Sequence, residues 1–337
     1  MKYYLPLVDR VTLHPEGFSW AIPLEEQASL EPSRSFVPGT QFQHSWDSVS
    51  LAALKTCPRY YQYKIIEGWN LWPMPSPLQF GIGFHTLQET YHKLRAHGID
   101  QELALLRCVR LAGLLGEQLP LGRTERTKET LIRSFVWYME QFKNDPATTA
   151  LKKDGSAAVE FSFTLPVAEL DGQEIYLCGH LDRVVQFQNE TFICDYKTTK
   201  GQMNERFLSG FKPSTQISGY ATAGYILSTQ PNTVFPSVPK GVIIDGVELG
   251  VNYNRFQRFI LRFTQLELNE WLKDFITTVK VKARGYAEAG HWPMEETSCS
   301  LYGKCEYHEV CSRNPAERER VLEKNFRKSV WDPRKAR

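Results

Sequence analysis

The segment from Glu174 to Thr198 constrains this chain more than any other stretch. It reads as two strands, EIYLCGHLDRVVQF and TFICDYKT, joined by the polar turn Gln188-Asn189-Glu190. A turn centred between Gln188 and Asn189 sets Asp182 opposite Asp195. Opposed residues on one face have Cβ atoms about 4.5–5.5 Å apart, close enough for two carboxylates to share a divalent cation. Lys197 lies two residues beyond Asp195 and points to the same face. A register shift of one residue would part the two acids.

Two acids and a lysine on one sheet face suit phosphodiester hydrolysis. The acids hold Mg2+ or Mn2+, which binds the scissile phosphate and activates a water. The lysine orients that water or offsets growing charge on the phosphate. A surface ion pair between Asp195 and Lys197 meets the same D-x-K spacing, so the motif alone decides nothing.

In FGIGFHTLQETYHK, Gly81 and Gly83 are expected to precede a helix on which His85, Glu89 and His92 share one side. His85 is a candidate third metal ligand, and a mixed nitrogen and oxygen site admits Mn2+ beside Mg2+. Glu89 and His92 read more simply as polar decoration. After Pro213, Gln216 and Tyr220 fall four apart on one helix face, suited to bonding a phosphate or steadying Lys197.

Seven cysteines occur. Cys108, Cys178 and Cys194 lie within apolar patterns and read as packing residues. Cys57, Cys299, Cys305 and Cys311 remain as candidate thiolates for an iron–sulfur cluster or Zn2+. The late spacing, C-x5-C-x5-C, lacks the close knuckle of zinc fingers, while His308 keeps a Cys/His zinc site open.

Taken in order, these motifs resemble the PD-(D/E)XK nuclease superfamily, in its RecB-like branch with a four-cysteine iron–sulfur cluster. Such proteins include CRISPR-associated and AddB-type iron–sulfur exonucleases. The resemblance runs over residues 46–312 through Cys57-Pro58, Gly81 to His85, Glu160, Gly179 to Asp182, Asp195 to Lys197, Gln216 to Tyr220 and the three late cysteines. It implies an α/β fold with a restriction-endonuclease-like core: a mixed central β-sheet flanked by helices. N- and C-terminal helical segments would be joined by the metal cluster. It further implies that His85, Asp182 and Asp195 bind the metal together with the carbonyl of Tyr196. Lys197 would be the catalytic lysine, supported by Gln216 and Tyr220, which would also contact nucleic acid. Glu160 corresponds to an acid whose role is less settled. Cys57, Cys299, Cys305 and Cys311 would hold a [4Fe–4S] cluster. The family spacing is often C-x2-C-x5-C, so Cys299 is where this chain departs.

With 337 residues, 42% of them hydrophobic, the chain can bury a sizeable core. Three parts are expected: an irregular extension over 1–45, the nuclease domain over 46–312 and a charged tail over 313–337. A net charge of +2 neither demands nor excludes a polyanionic partner. MKYYLPLVDR lacks a signal-peptide apolar run, and no stretch approaches the roughly 20 apolar residues of a membrane span, so a cytoplasmic location is expected. There is no P-loop motif; any unwinding would fall to a helicase or recombination partner. The expected function is an exonuclease acting on DNA ends or single strands in replication, recombination or repair. A CRISPR-adaptation trimming nuclease and a non-catalytic DNA-binding or assembly subunit are the alternatives. Aromatic and basic residues interleave in PRYYQYK and NYNRFQRFILRF, which suits either base stacking or a core with solvated flanks. Arg255 and Arg258 are candidate DNA contacts.

Overall fold

The computed structural model describes residues 35–231, 233–300 and 303–334, so most of the expected N-terminal extension lies outside the described residues. The main sheet has seven strands: β1 (Ser45–Trp46), β3 (Thr148–Thr149), β4 (Val159–Leu170), β5 (Gln173–Phe187), β6 (Glu190–Thr199), β7 (Gly241–Leu249) and β8 (Asn254–Arg262). Its order is β1-β5-β6-β7-β8, with β3 and β4 also paired to β5. The β5 strand runs antiparallel to both β4 and β6, β6 and β7 run parallel, and β8 returns antiparallel. The sheet is therefore mixed, as expected.

Burial follows position in the sheet. Every residue of β7, GVIIDGVEL, is buried, the pattern of a central strand covered on both faces. The edge strand β8, NRFQRFILR, instead alternates between partly buried and exposed positions.

Helices cover both faces. On one side lie α3 (Ser76–Ala96), α4 (Gln101–Leu115) and α5 (Lys128–Gln141). Their Phe80, Phe84, Leu111 and Phe135 pack with Val185, Tyr196 and Val247 of the sheet. The opposite side is covered by α7 (Thr215–Ser228) and α8 (Gln265–Thr278), which follow a short α6 (Glu205–Ser209). There Ile217, Ala221 and Leu268 meet Leu177, Ile193 and Ile244. The sequence of α4 shows why it folds so: Ala104, Cys108, Leu111, Ala112 and Leu115 are its buried stripe, and Asp100 caps it by accepting from the Leu103 amide. Beyond α8 a π turn (Val279–Ala283) and α9 (Arg284–Ala289) continue as one rod. No helix among the described residues is long and apolar enough to cross a membrane.

The first helix, α1 (Ser48–Thr56), is capped by Asp47, which accepts from the Ser50 amide while the Ser50 hydroxyl serves the Asp47 backbone. One expected boundary moves. Gly81 and Gly83 stand inside α3, which begins at Ser76, rather than before it. A Cβ on Gly83 would lie 3.2 Å from Leu131, so the glycine lets α3 and α5 approach closely.

A second, two-stranded sheet joins β2 (Trp69–Leu71) to β9 (Phe326–Lys328). It draws the charged tail back onto the body through α11 (Arg318–Asn325). Leu322 and Phe326 are buried there with Tyr63, Trp69 and Tyr307.

Candidate active site

The β5–β6 ladder runs from Phe187–Glu190 to Arg183–Cys194 and stops there. From that point β5 continues with β4 and β6 continues with β7. Asp182 and Asp195 are the next residues, so they sit in the fork where the strands part. Asp182 fills the gap by accepting from the Tyr196 amide at 3.0 Å. Gly179, three residues earlier, lets the Phe163 ring lie against the strand, since a Cβ there would meet it at 2.9 Å.

Five further side chains converge on the fork. His85 on α3 contacts Asp182 Oδ2 through Nδ1 at 3.2 Å and the Tyr196 carbonyl through Nε2 at 2.9 Å. Lys197 Nζ lies 2.5 Å from Asp195 Oδ2. Gln216 donates to the Tyr220 hydroxyl at 3.2 Å on α7. Glu160 on β4 completes the group. One ligand atom each from His85, Glu160 and Asp182 lies within 4.8 Å of the others. Glu160 is held at φ +44°, in the left-handed region. That conformation costs on the order of 1–3 kcal/mol for a side chain with a Cβ, a form of strain that clusters at functional sites.

The electrostatics divide the two aspartates. Burial disfavours a charged His85 ring, but the Asp182 carboxylate outweighs it and holds the ring up at about 9. Burial would likewise raise Asp182, yet His85 more than offsets it and the carboxyl lies below its ordinary value. Asp195 has no such relief. Burial, with Asp182 adding to it, pushes Asp195 up to about 6 against the pull of Lys197. Lys197 is paired with Asp195 Oδ2, and no other donor among the described residues reaches either oxygen. A buried carboxylate left short of donors is the partner that a hard cation requires. The imidazole and carboxylate donors therefore suit Mg2+ or Mn2+.

Other candidates take different places. Glu89 pairs with Lys93 on the α3 surface. His92 turns inward to the Tyr196 hydroxyl and Thr149. Arg258, an expected DNA contact, is committed to Asp145 and Asp245 inside the fold. Arg255 is exposed and pairs with Glu248. In PRYYQYK, Tyr61 and Tyr63 are buried, while Tyr60 and Lys64 both bond Glu306. That patch is core and strap. Cys108, Cys178 and Cys194 are buried.

The remaining cysteines gather from two ends of the chain. Cys57 precedes α2 (Pro58–Tyr61), and its sulfur accepts from the Glu295 amide at 3.3 Å. Ser298 donates to the Thr56 carbonyl at 2.7 Å beside it. Cys299 receives the Cys305 amide on its carbonyl, and Cys311 closes α10 (His308–Cys311). All four are half-buried and none is in a disulfide. Burial first, then neighbouring thiols including Cys57, raises Cys305 and Cys311, the latter to about 11. The His308 ring contacts Ser312.

Comparison with known proteins fixes the family. Residues 48–312 match the family model of the PD-(D/E)XK nuclease superfamily. No curated protein gives a significant match. Similar solved structures include two of low identity. One, a Eubacterium rectale protein named "Putative exonuclease", shares 11% identity at a TM-score of 0.41, covering 80% of this chain and 89% of its own. The other, named SSO0001, shares 9% identity at a TM-score of 0.25, covering 60% and 86% respectively. Neither score reaches 0.5, so membership rests on the family match over residues 48–312 alone.

Proposed function

The chain belongs to the PD-(D/E)XK nuclease superfamily, and we propose that it is a Mg2+- or Mn2+-dependent deoxyribonuclease working as an exonuclease on DNA ends or single strands. One observation carries this reading: His85, Glu160 and Asp182 converge at the strand fork beside the unsatisfied, lysine-paired Asp195. His85, Asp182, Asp195 and the Tyr196 carbonyl would hold the ion, with Glu160 as a further oxygen donor. When bound, the ion supplies Lewis acidity toward the scissile phosphate and the attacking water.

The protein's own groups do the rest. The Lys197 ammonium, a quarter exposed beside Asp195, orients the water and offsets charge growing on the phosphate. Gln216 and Tyr220 keep one another in position on α7 and present donors to the phosphate backbone. Each acid is carried on a strand that is paired on its far side, β5 with β4 and β6 with β7. Cys57, Cys299, Cys305 and Cys311 are read as the ligands of a [4Fe–4S] cluster. It fastens α1 and α2 to the segment after α9, and metal–ligand bonds of this kind contribute folding free energy directly.

Purified protein is incubated with end-labelled single- and double-stranded DNA, with Mg2+, Mn2+ or chelator. Metal-dependent shortening from the ends that is lost in Lys197→Ala supports the proposal. DNA binding without cleavage under either metal sinks it in favour of a non-catalytic subunit. Brown anaerobic protein containing iron and sulfide supports the cluster, and colourless protein containing zinc overturns it.

A further inference from the structure

The fork leaves a mechanical question. Asp182 and Asp195 sit where the β5–β6 hydrogen-bond ladder has ended, yet a shared ion needs their strands at a fixed separation. The residues next to them in sequence, Arg183 and Tyr196, point to the opposite face of the sheet, and both are buried. There Arg183 Nη1 donates to the Tyr196 hydroxyl at 3.4 Å. That hydroxyl meets His92 Nε2 at 3.3 Å, and His92 Nδ1 meets Thr149 Oγ1 at 3.2 Å. Arg183 Nε donates to the same Thr149 Oγ1 at 2.8 Å, closing the circuit. A neutral imidazole offers one donor and one acceptor, which is what a closed ring of this kind asks of it. Arg183 is itself anchored on the Ala147 carbonyl at 2.6 Å. The Tyr196 ring is wedged edge-on against Phe84 and Tyr138.

Tyr196 is also the residue whose backbone serves the site on both sides. Its amide donates to Asp182 and its carbonyl accepts from His85. A shift of the Tyr196 Cα moves the peptide units on either side of it, and both groups with them. We infer that Arg183, Tyr196, His92 and Thr149 form a clamp on the rear face that replaces the missing ladder pair and sets the ion-binding geometry on the front. The Tyr196 side chain, Arg183 and His92 are thus positioning residues; none of these side chains is among the groups that would hold the ion. This inference rests on the metal-site reading of the proposed function.

The test is Mn2+ binding to the metal-free protein by titration calorimetry, alongside steady-state cleavage and thermal melting. Tyr196→Phe keeps the ring and removes only the hydroxyl. It is expected to weaken Mn2+ binding about tenfold, the size usual when an outer-shell partner is lost, and to lower kcat with little change in KM. His92→Ala should do the same, whereas His92→Gln, which keeps a donor and an acceptor, should stay close to wild type. A merely structural circuit would lower the melting temperature in all three and leave Mn2+ affinity unchanged well below it; that result overturns the clamp. If Tyr196→Phe does not fold, Thr149→Val opens the same circuit from its other side and is judged by the same criterion. A wild-type protein that takes up no Mn2+ sinks the metal site and the clamp with it. Normal Mn2+ uptake with an unmoved Tyr196→Phe sinks the clamp alone.

Discussion

Asp195 and Asp245 stand on neighbouring strands of one sheet, and both side chains are shut away from solvent. Their surroundings are opposite. Asp245 accepts from Arg258 Nε and Nη2 at 2.6 and 2.7 Å and from the Tyr138 hydroxyl at 2.6 Å. Asp145 shares the same guanidinium. Asp195 has the Lys197 ammonium alone, with no second donor among the described residues. A saturated buried acid is a structural device, while an unsaturated one is an incomplete site. The difference lies in the number of donors that reach the carboxylate and not in its depth.

Substitutions sharpen this contrast. Replacing Asp195 or Lys197 by alanine should lower cleavage by at least about 10²–10³-fold, read from the rate on end-labelled DNA. Asp245→Asn should act on stability instead. It leaves Arg258 short of a counter-charge in the interior and should cost about 3–5 kcal/mol in denaturant unfolding, with cleavage per folded molecule preserved. If Asp245→Asn abolishes activity in folded protein, the division between the two acids fails.

Asp195→Asn should even stabilise the metal-free protein. Its folded pKa, about 6, is raised above the value near 3.9 of an unfolded aspartate. Folding is therefore favoured at low pH by proton uptake, and that advantage is lost as pH rises through 6. The variant should melt a few degrees above wild type at pH 8, roughly what such a shift implies, and the gap should narrow below pH 6 and close toward pH 4. A constant gap across that range would contradict the assignment. Arg255→Ala is the smallest case. Its side chain is 65% exposed, so losing the pair with Glu248 should cost under about 0.5 kcal/mol in the same unfolding measurement.

Much of the frame is legible in the sequence because it depends on local pattern. The polar turn at Gln188–Asn189 and the alternation on either side imply the register that places Arg183 against Cys194. The buried stripe of α4 follows its helical period. Features set by distant partners are not legible. Nothing near Arg258 announces Asp145 or Asp245, so it reads as a solvent-facing base contact. Glu160 depends on a backbone twist that no neighbouring glycine signals. His92 looks like surface decoration because its partners, Thr149 and Tyr196, come from two different strands. The tail beyond residue 313 looks unpatterned because its described part gives the cluster around Tyr307 two well-separated buried residues, Leu322 and Phe326, and a three-residue strand.

That short strand has a practical consequence. Cutting the chain after residue 312, where the nuclease motifs end, would strip Phe326 from its stack on the Tyr307 ring and Lys328 from above Trp69. Trp69 and Leu71 would be left bare beside the cysteine-bearing segment, an adhesive surface of the sort that makes a shortened protein precipitate. A well-behaved fragment should keep everything through Ser329, whose amide is tied to the Gly68 carbonyl.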